Sequence, residues 1–154
     1  MCEIVSDIRR VKSSALMPAI GEIIAGGGRV RLTVTGSSMY PFLRQGVDSV
    51  ILAAVEPTAL KRGSIVLVLR DNGQYVLHRI IRHKRQCFYL NGDAQQQIEG
   101  PLLPEQVVAV VTSVWRRDRH IDCRGLWWRA LSALWGLALP VRGYIFAAYR
   151  WLSS

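Results

Sequence analysis

The sequence predicts a mainly β protein, a compact barrel or sandwich of short strands with one short helix before it and two amphipathic helices after it. Three observations carry this. Val30, Leu32 and Val34 alternate with Arg31, Thr33 and Thr35, the period of a half-buried strand. Turn signals such as Asp71-Asn72-Gly73 and Asn91-Gly92 separate apolar runs too short for helices. Helical periodicity appears only outside residues 29–121.

Taken in order, residues 1–28 form an N-terminal helical segment in whose second half Leu16, Ile20, Ile23 and Ile24 share a face. Gly26-Gly27-Gly28 stops that helix. Residues 29–121 form the β-domain. Its strands are the alternating run after Arg29, then Val50–Val55, Ile65–Leu69, Tyr75–Arg82, Phe88–Leu90 and the valine-rich Gln106–Trp115. Residues 122–154 change character to a basic, aromatic helical tail. Trp127, Leu131, Leu134, Trp135 and Ala138 fall on one helical face, and Gly125, Arg129, Ser132 and Gly136 on another. Pro140 opens a second helix with Ile145, Tyr149 and Leu152 on one side.

Half of the 154 residues are hydrophobic, enough for a real core, and this excludes a disordered chain. Lysine and arginine number 20 against 11 acidic residues, a net charge of +9 that suits an anionic partner. Nucleic acid is not the expected one, because the basic residues are dispersed and the aromatics cluster on helix faces instead of alternating along strands. Arg116, Arg117, Arg119, Arg124 and Arg129 lie near Trp115, Trp127, Trp128 and Trp135, a pairing common at membrane interfaces. Two placements of the tail follow: peripheral on an anionic membrane face, or packed on the β-domain to supply core. Cys2, Cys87 and Cys123 are scattered and odd in number, which argues against a disulfide framework and for a reducing compartment. No signal peptide is legible, and the longest apolar stretch, Ala130–Val141, is only 12 residues between two arginines. A location in the cytoplasm, or on the cytoplasmic membrane face, is expected.

The sharpest local signal is Gly36-Ser37-Ser38-Met39-Tyr40-Pro41, which follows a strand and ends in a residue that cannot continue one. A serine at such a bend presents its hydroxyl and its own N–H to a cleft, and Gly36 permits close approach of another chain. Read without further context, it is a turn with two serines. A serine hydroxyl needs a neighbouring base to act as a nucleophile. Of the three histidines, His83 and His120 sit among basic residues and read as solvated surface. His78 lies mid-strand on the face of Val76 and Ile80, where it is either a satisfied core group or a catalytic one. Asp93, closing the next strand, is placed to hold an imidazole, or else bonds its own turn. No metal-ligand spacing is present, and neither metal nor cofactor is expected.

Gly36-Ser37-Ser38-Met39-Tyr40-Pro41 resembles the Gly-x-Ser-Met-x-Pro box of type I signal peptidases, and three further segments resemble that family's later boxes in order. Lys61-Arg62-Gly63-Ser64-Ile65-Val66-Leu67 is similar to Gly-Asp-Ile-Val-Val. His78-Arg79-Ile80 is similar to the endoplasmic-reticulum-type enzymes, in which histidine replaces the lysine base. Asn91-Gly92-Asp93 is similar to the closing Gly-Asp box. The resemblance spans residues 33–99 and implies a signal-peptidase/LexA-like β-barrel core. It implies Ser38 as nucleophile, His78 as general base, Asp93 as the acid behind it and Glu99 as a second acid. Gly36, Ser37, Met39 and Pro41 would shape the oxyanion and substrate site. The activity implied is serine endopeptidase action on a peptide or protein substrate, such as a signal- or leader-peptide-like precursor. Ser64 stands where the family carries aspartate, and Val47 lengthens the loop before Asp48. The chain reads as the catalytic core, without the family's membrane anchor or larger second β-domain. Two alternatives remain. One is self-cleavage in the manner of LexA-type repressors at Ala25-Gly26, which lies 12 residues ahead of Ser38. The other is an inactive regulatory or binding module.

Overall fold

The computed structural model describes residues 13–153. Helix α1 (Ser13–Ala25) leads into eight strands: β1 (Arg29–Thr33), β2 (Asp48–Ala53), β3 (Ile65–Leu69), β4 (Tyr75–Lys84), β5 (Cys87–Asn91), β6 (Glu99–Leu102), β7 (Val107–Arg116) and β8 (Arg119–Asp122). Helices α2 (Leu126–Leu137) and α3 (Arg142–Leu152) follow. Cys2 lies outside the described residues, and Cys87 and Cys123 are both free thiols.

The three glycines end α1 as expected, by a specific geometry. Gly27 takes φ +84° and donates to Ile24 O, while Gly28 donates to Ile23 O, which satisfies two of the helix's last carbonyls. Ile20 and Ile24 are buried against the sheet, but Ile23, expected on the same face, is half exposed beside that turn.

All strand pairs are antiparallel, in the order β1-β2-β7-β3-β4-β5-β6, with β8 alongside β7. The expected closed barrel does not form: β1 and β6 are the two ends of an open sheet. Apolar side chains fill both faces. Ile65, Leu67, Leu52 and Val111 pack with α1, Met39 and Leu43 on one face. Val66, Val68, Ile80, Leu90 and Phe88 pack on the other. The Asp71-Asn72-Gly73 hairpin is present, with Gly73 at φ +83°. Strands β6 and β8 were not expected from the sequence; each is four residues long and mostly polar or irregular, and is held by its ladder partner.

The helical tail packs on the domain by the Ser132 face of α2, joined by Trp135 from the apolar stripe. Ser132 is buried, with Trp128 and Trp135 partly so, whereas Leu126, Trp127, Leu134 and Leu137 are exposed. Among the described residues no single helix is long and apolar enough to cross a membrane; α2 and the segment through α3 are bent by 58°. Arg116, grouped with the tail arginines in the sequence, is engaged elsewhere. It bonds both oxygens of the fully buried Asp48 at 3.0 and 2.8 Å, and Phe42 O at 2.9 Å.

Candidate active site

The loop after β1 carries Ser38. Gly36 has φ +87°, a conformation that side-chain-bearing residues rarely adopt. A Cβ there would meet nothing of this chain within 4 Å, so within the fold this glycine serves backbone shape. Met39 is buried in the main core cluster and Ser37 is exposed, so Met39 pins the loop and leaves Ser38 half-buried at the surface. Pro41 follows through a cis peptide bond, and Phe42 then packs edge-on against Trp128, 5.3 Å between centroids.

A second contact fixes the loop from the other side. Ala94 N donates to Ser38 O at 2.8 Å, and the Gly92 backbone passes so close that a Cβ would lie 2.8 Å from that same oxygen. Within the chain the close approach to the Ser38 loop is made by Gly92. Gly92→Ala is expected to cost about 1–3 kcal/mol in stability and to displace the Ser38 loop, because both the carbonyl and Gln95 stand in the way. Urea unfolding together with serine-probe labelling checks this.

Ser38 lines a cavity of about 130 Å³. One wall is Leu32 to Gly36 with Met39; the other is Leu67 with Tyr75, Val76 and Leu77; Met17 of α1 closes one end. Both walls include strand edges. β1 pairs only with β2, and β5 begins pairing with β4 at Arg79, so Tyr75–Leu77 pair with β3 alone among the described strands. His78, the next residue of β4, is not among the residues that line the cavity; it pairs with Val66, on the face opposite to Leu67 and Met39. No hydrogen bond joins the Ser38 hydroxyl to its ring among the described residues; such bonds commonly tighten only when substrate is present.

Sheet register decides which acid meets which base. Ile80 pairs with Leu90, and Leu90 with Glu99, so Glu99 lies on the face shared by Ile80 and His78. The Glu99 carboxylate accordingly stands 3.2 Å from His78 Nδ1. A carboxylate can only accept, so neutral His78 carries its proton on Nδ1 and leaves Nε2 unprotonated. Arg70 grips the same carboxylate with Nε and a terminal nitrogen at 2.6 and 2.7 Å, and holds it below the usual carboxylate range. Burial pushes the His78 pKa below its ordinary value, with Glu99 opposing and Arg70 reinforcing the shift. The shift favours the neutral imidazole.

Asp93 does not take the role expected of it. Arg79 pairs with Asn91, and Asp93 lies two residues on, on the opposite face from His78. Both Asp93 oxygens accept from Arg79, at 2.8 and 2.7 Å, and neither side chain is more than 2% exposed. Arg79 also donates to Gly63 O and Ser132 Oγ and lies over the Phe42 ring at 4.4 Å. Arg142 bonds Asn91 Oδ1 and Trp135 O, and Trp135 Nε1 donates to Asp93 O at 3.0 Å. Around the Asn91–Ala94 turn, then, buried arginines act as struts.

Arg70, Arg79 and Arg142 were not anticipated. For Arg79 a signal existed: a charge between apolar residues in a strand, one position from a histidine. Arg70 and Arg142 offered none. His83 stacks on Phe88, and His120 lies tilted against Trp115 with centroids 5.0 Å apart; both histidines are exposed. Comparison with protein-family models found no match, and comparison with curated proteins found none.

Proposed function

We propose that the chain is a serine endopeptidase of the signal-peptidase-like kind, built on a LexA-like β core, with Ser38 as nucleophile, His78 as general base and Glu99 as the acid that orients it. One observation carries the reading. Ser38 shares a cavity with the free edge Tyr75–Leu77, and His78, the next residue, has its Nδ1 engaged by a carboxylate. That is the polarity a Ser-His site needs, with Nε2 left for the hydroxyl. His78 does not line the cavity but is buried on the Val66 and Ile80 face, so the reading requires the edge to bring Nε2 round to the Ser38 hydroxyl. The four ordered sequence boxes support the same assignment.

In this reading an extended peptide enters between the β1 and β4 edges and adds as a strand, using main-chain hydrogen bonds. Ser38 Oγ attacks the scissile carbonyl while His78 Nε2 accepts its proton, then returns it to the leaving amine. Water repeats the sequence on the acyl-enzyme. The Ser38 N–H supplies one oxyanion donor, with Ser37 or a neighbouring backbone N–H as the second. The substrate class is a signal- or leader-peptide-like precursor, which the two-edged slot suits because it reads backbone before side chains.

The self-cleaving alternative draws no support from the geometry. Ala25–Gly26 closes α1, with the Gly26 N–H bonded to Glu22 O at 3.0 Å, so that peptide bond is helical and not extended. A fluorophosphonate probe tests the main proposal. Stoichiometric labelling mapped to Ser38 by mass spectrometry is expected, slowed in His78→Ala; a folded chain that the probe leaves unlabelled, or labels only at Ser37, refutes it.

A further inference from the structure

Helix α2 is docked inside out. Its inner face, Trp128, Ser132, Trp135 and Gly136, includes a serine and a glycine, whereas Leu126, Trp127, Leu134 and Leu137 are 64–84% exposed on the outer one. A helix stabilised only by its own domain buries the opposite stripe. The inversion is enforced by polar contacts that cannot be exchanged: Ser132 Oγ accepts from buried Arg79, and Arg142, at the start of α3, is buried on Asn91 and Trp135 O. Helix α3 leaves Tyr144, Tyr149 and Leu152 exposed as well.

We infer that this outer face of α2 and α3 docks into the headgroup region of an anionic lipid bilayer. Charge selects the occupant. From residue 123 to 154 the chain has four arginines and neither aspartate nor glutamate. Of these Arg142 is buried, Arg129 and Arg150 are exposed beside the apolar stripe, and exposed Arg124 pairs with Asp122 at 3.5 Å. A second copy would set arginine against arginine across the contact, whereas phosphate headgroups complement the exposed ones. The rings of Trp127, Tyr144 and Tyr149 suit the boundary between headgroups and acyl chains. The inner face of the same helices touches the Ser38 loop through Phe42 on Trp128 and Trp135 and Tyr40 on Phe146. Docking would therefore hold that loop about one helix diameter, ~10 Å, from lipid.

Co-sedimentation with vesicles tests the inference without any peptidase assay, so its failure and that of the hydrolytic reading are separable. The full chain is expected to pellet with equimolar phosphatidylcholine–phosphatidylglycerol vesicles, less with phosphatidylcholine alone, and less as salt rises. Trp127→Ser with Leu134→Ser is expected to weaken partitioning roughly tenfold or more with an unchanged circular dichroism spectrum. Wild-type tryptophan fluorescence should shift to the blue on mixing with the anionic vesicles, which provides a readout that needs no variant. Wild type left in the supernatant, a variant that partitions like wild type, or a lipid-free dimer that the double substitution abolishes would each overturn it.

Discussion

Alanine at Ser38 or at His78 is expected to lower kcat/KM for a cleaved peptide by roughly 10⁴-fold or more, with the fold intact. The two losses should not add, because a nucleophile without its base and a base without its nucleophile fail at the same step. Ser38 is half-buried on a loop whose anchors are Met39 and the main-chain bond to Ala94, so removing its hydroxyl disturbs no packing. Glu99→Gln separates orientation from chemistry. It exchanges a carboxylate on Nδ1 for an amide that can present either N–H or C=O, and kcat is expected to fall by about 10²–10⁴-fold while KM changes little. The pH profile carries its own sign. In the proposed mechanism the active form is neutral His78, and burial lowers its pKa, so the acid limb of kcat/KM is expected below the ordinary imidazole value. Glu99 opposes that shift, so Glu99→Gln should move the limb to still lower pH. Measuring kcat/KM across pH for wild type and Glu99→Gln decides between an orienting carboxylate and a merely structural one. An unmoved limb would remove Glu99 from the site.

Much of the β-domain was legible because its signals are local. Ile65–Leu69 is a buried strand of the expected extent, and the Asn72-Gly73 turn fixes the hairpin into β4. Strands β6 and β8 were not, since Glu99-Gly100-Pro101-Leu102 and Arg119–Asp122 become strands only through the partner beside them. The same non-locality governs the site. Asp93 and Glu99 are both within reach of His78 along the chain, and only the pairing of β5 with β4 and β6 sends one to each face. The tail was periodic enough to predict helices, but which stripe faces inward depends on Ser132 meeting a buried guanidinium from β4. No amphipathicity argument contains that contact.

Asp93→Ala and Arg79→Ala are expected to destabilise the fold by about 3–5 kcal/mol each, the cost of leaving one member of a buried ion pair uncompensated. The geometry makes a smaller effect hard to reach. Arg79 is 1% and Asp93 0% exposed, both carboxylate oxygens are used, and the guanidinium's other bonds go to Gly63 O and Ser132 Oγ, which cannot neutralise it. Urea unfolding read at equilibrium should show the loss as a lower midpoint at similar slope. Ser132→Ala, which removes one neutral partner from the same guanidinium, should cost nearer 1 kcal/mol, and Glu99→Gln, at a partly exposed site, less than that. The ordering separates two roles for Asp93. As the strut described here, its loss is felt first in stability, and then in activity through the Asn91–Ala94 turn that holds Ser38 O. As the partner of the imidazole, its loss would spare the unfolding midpoint and move the acid limb instead. A stable Asp93→Ala with a displaced pH profile would return that carboxylate to the catalytic site and reduce Glu99 to the partner of Arg70.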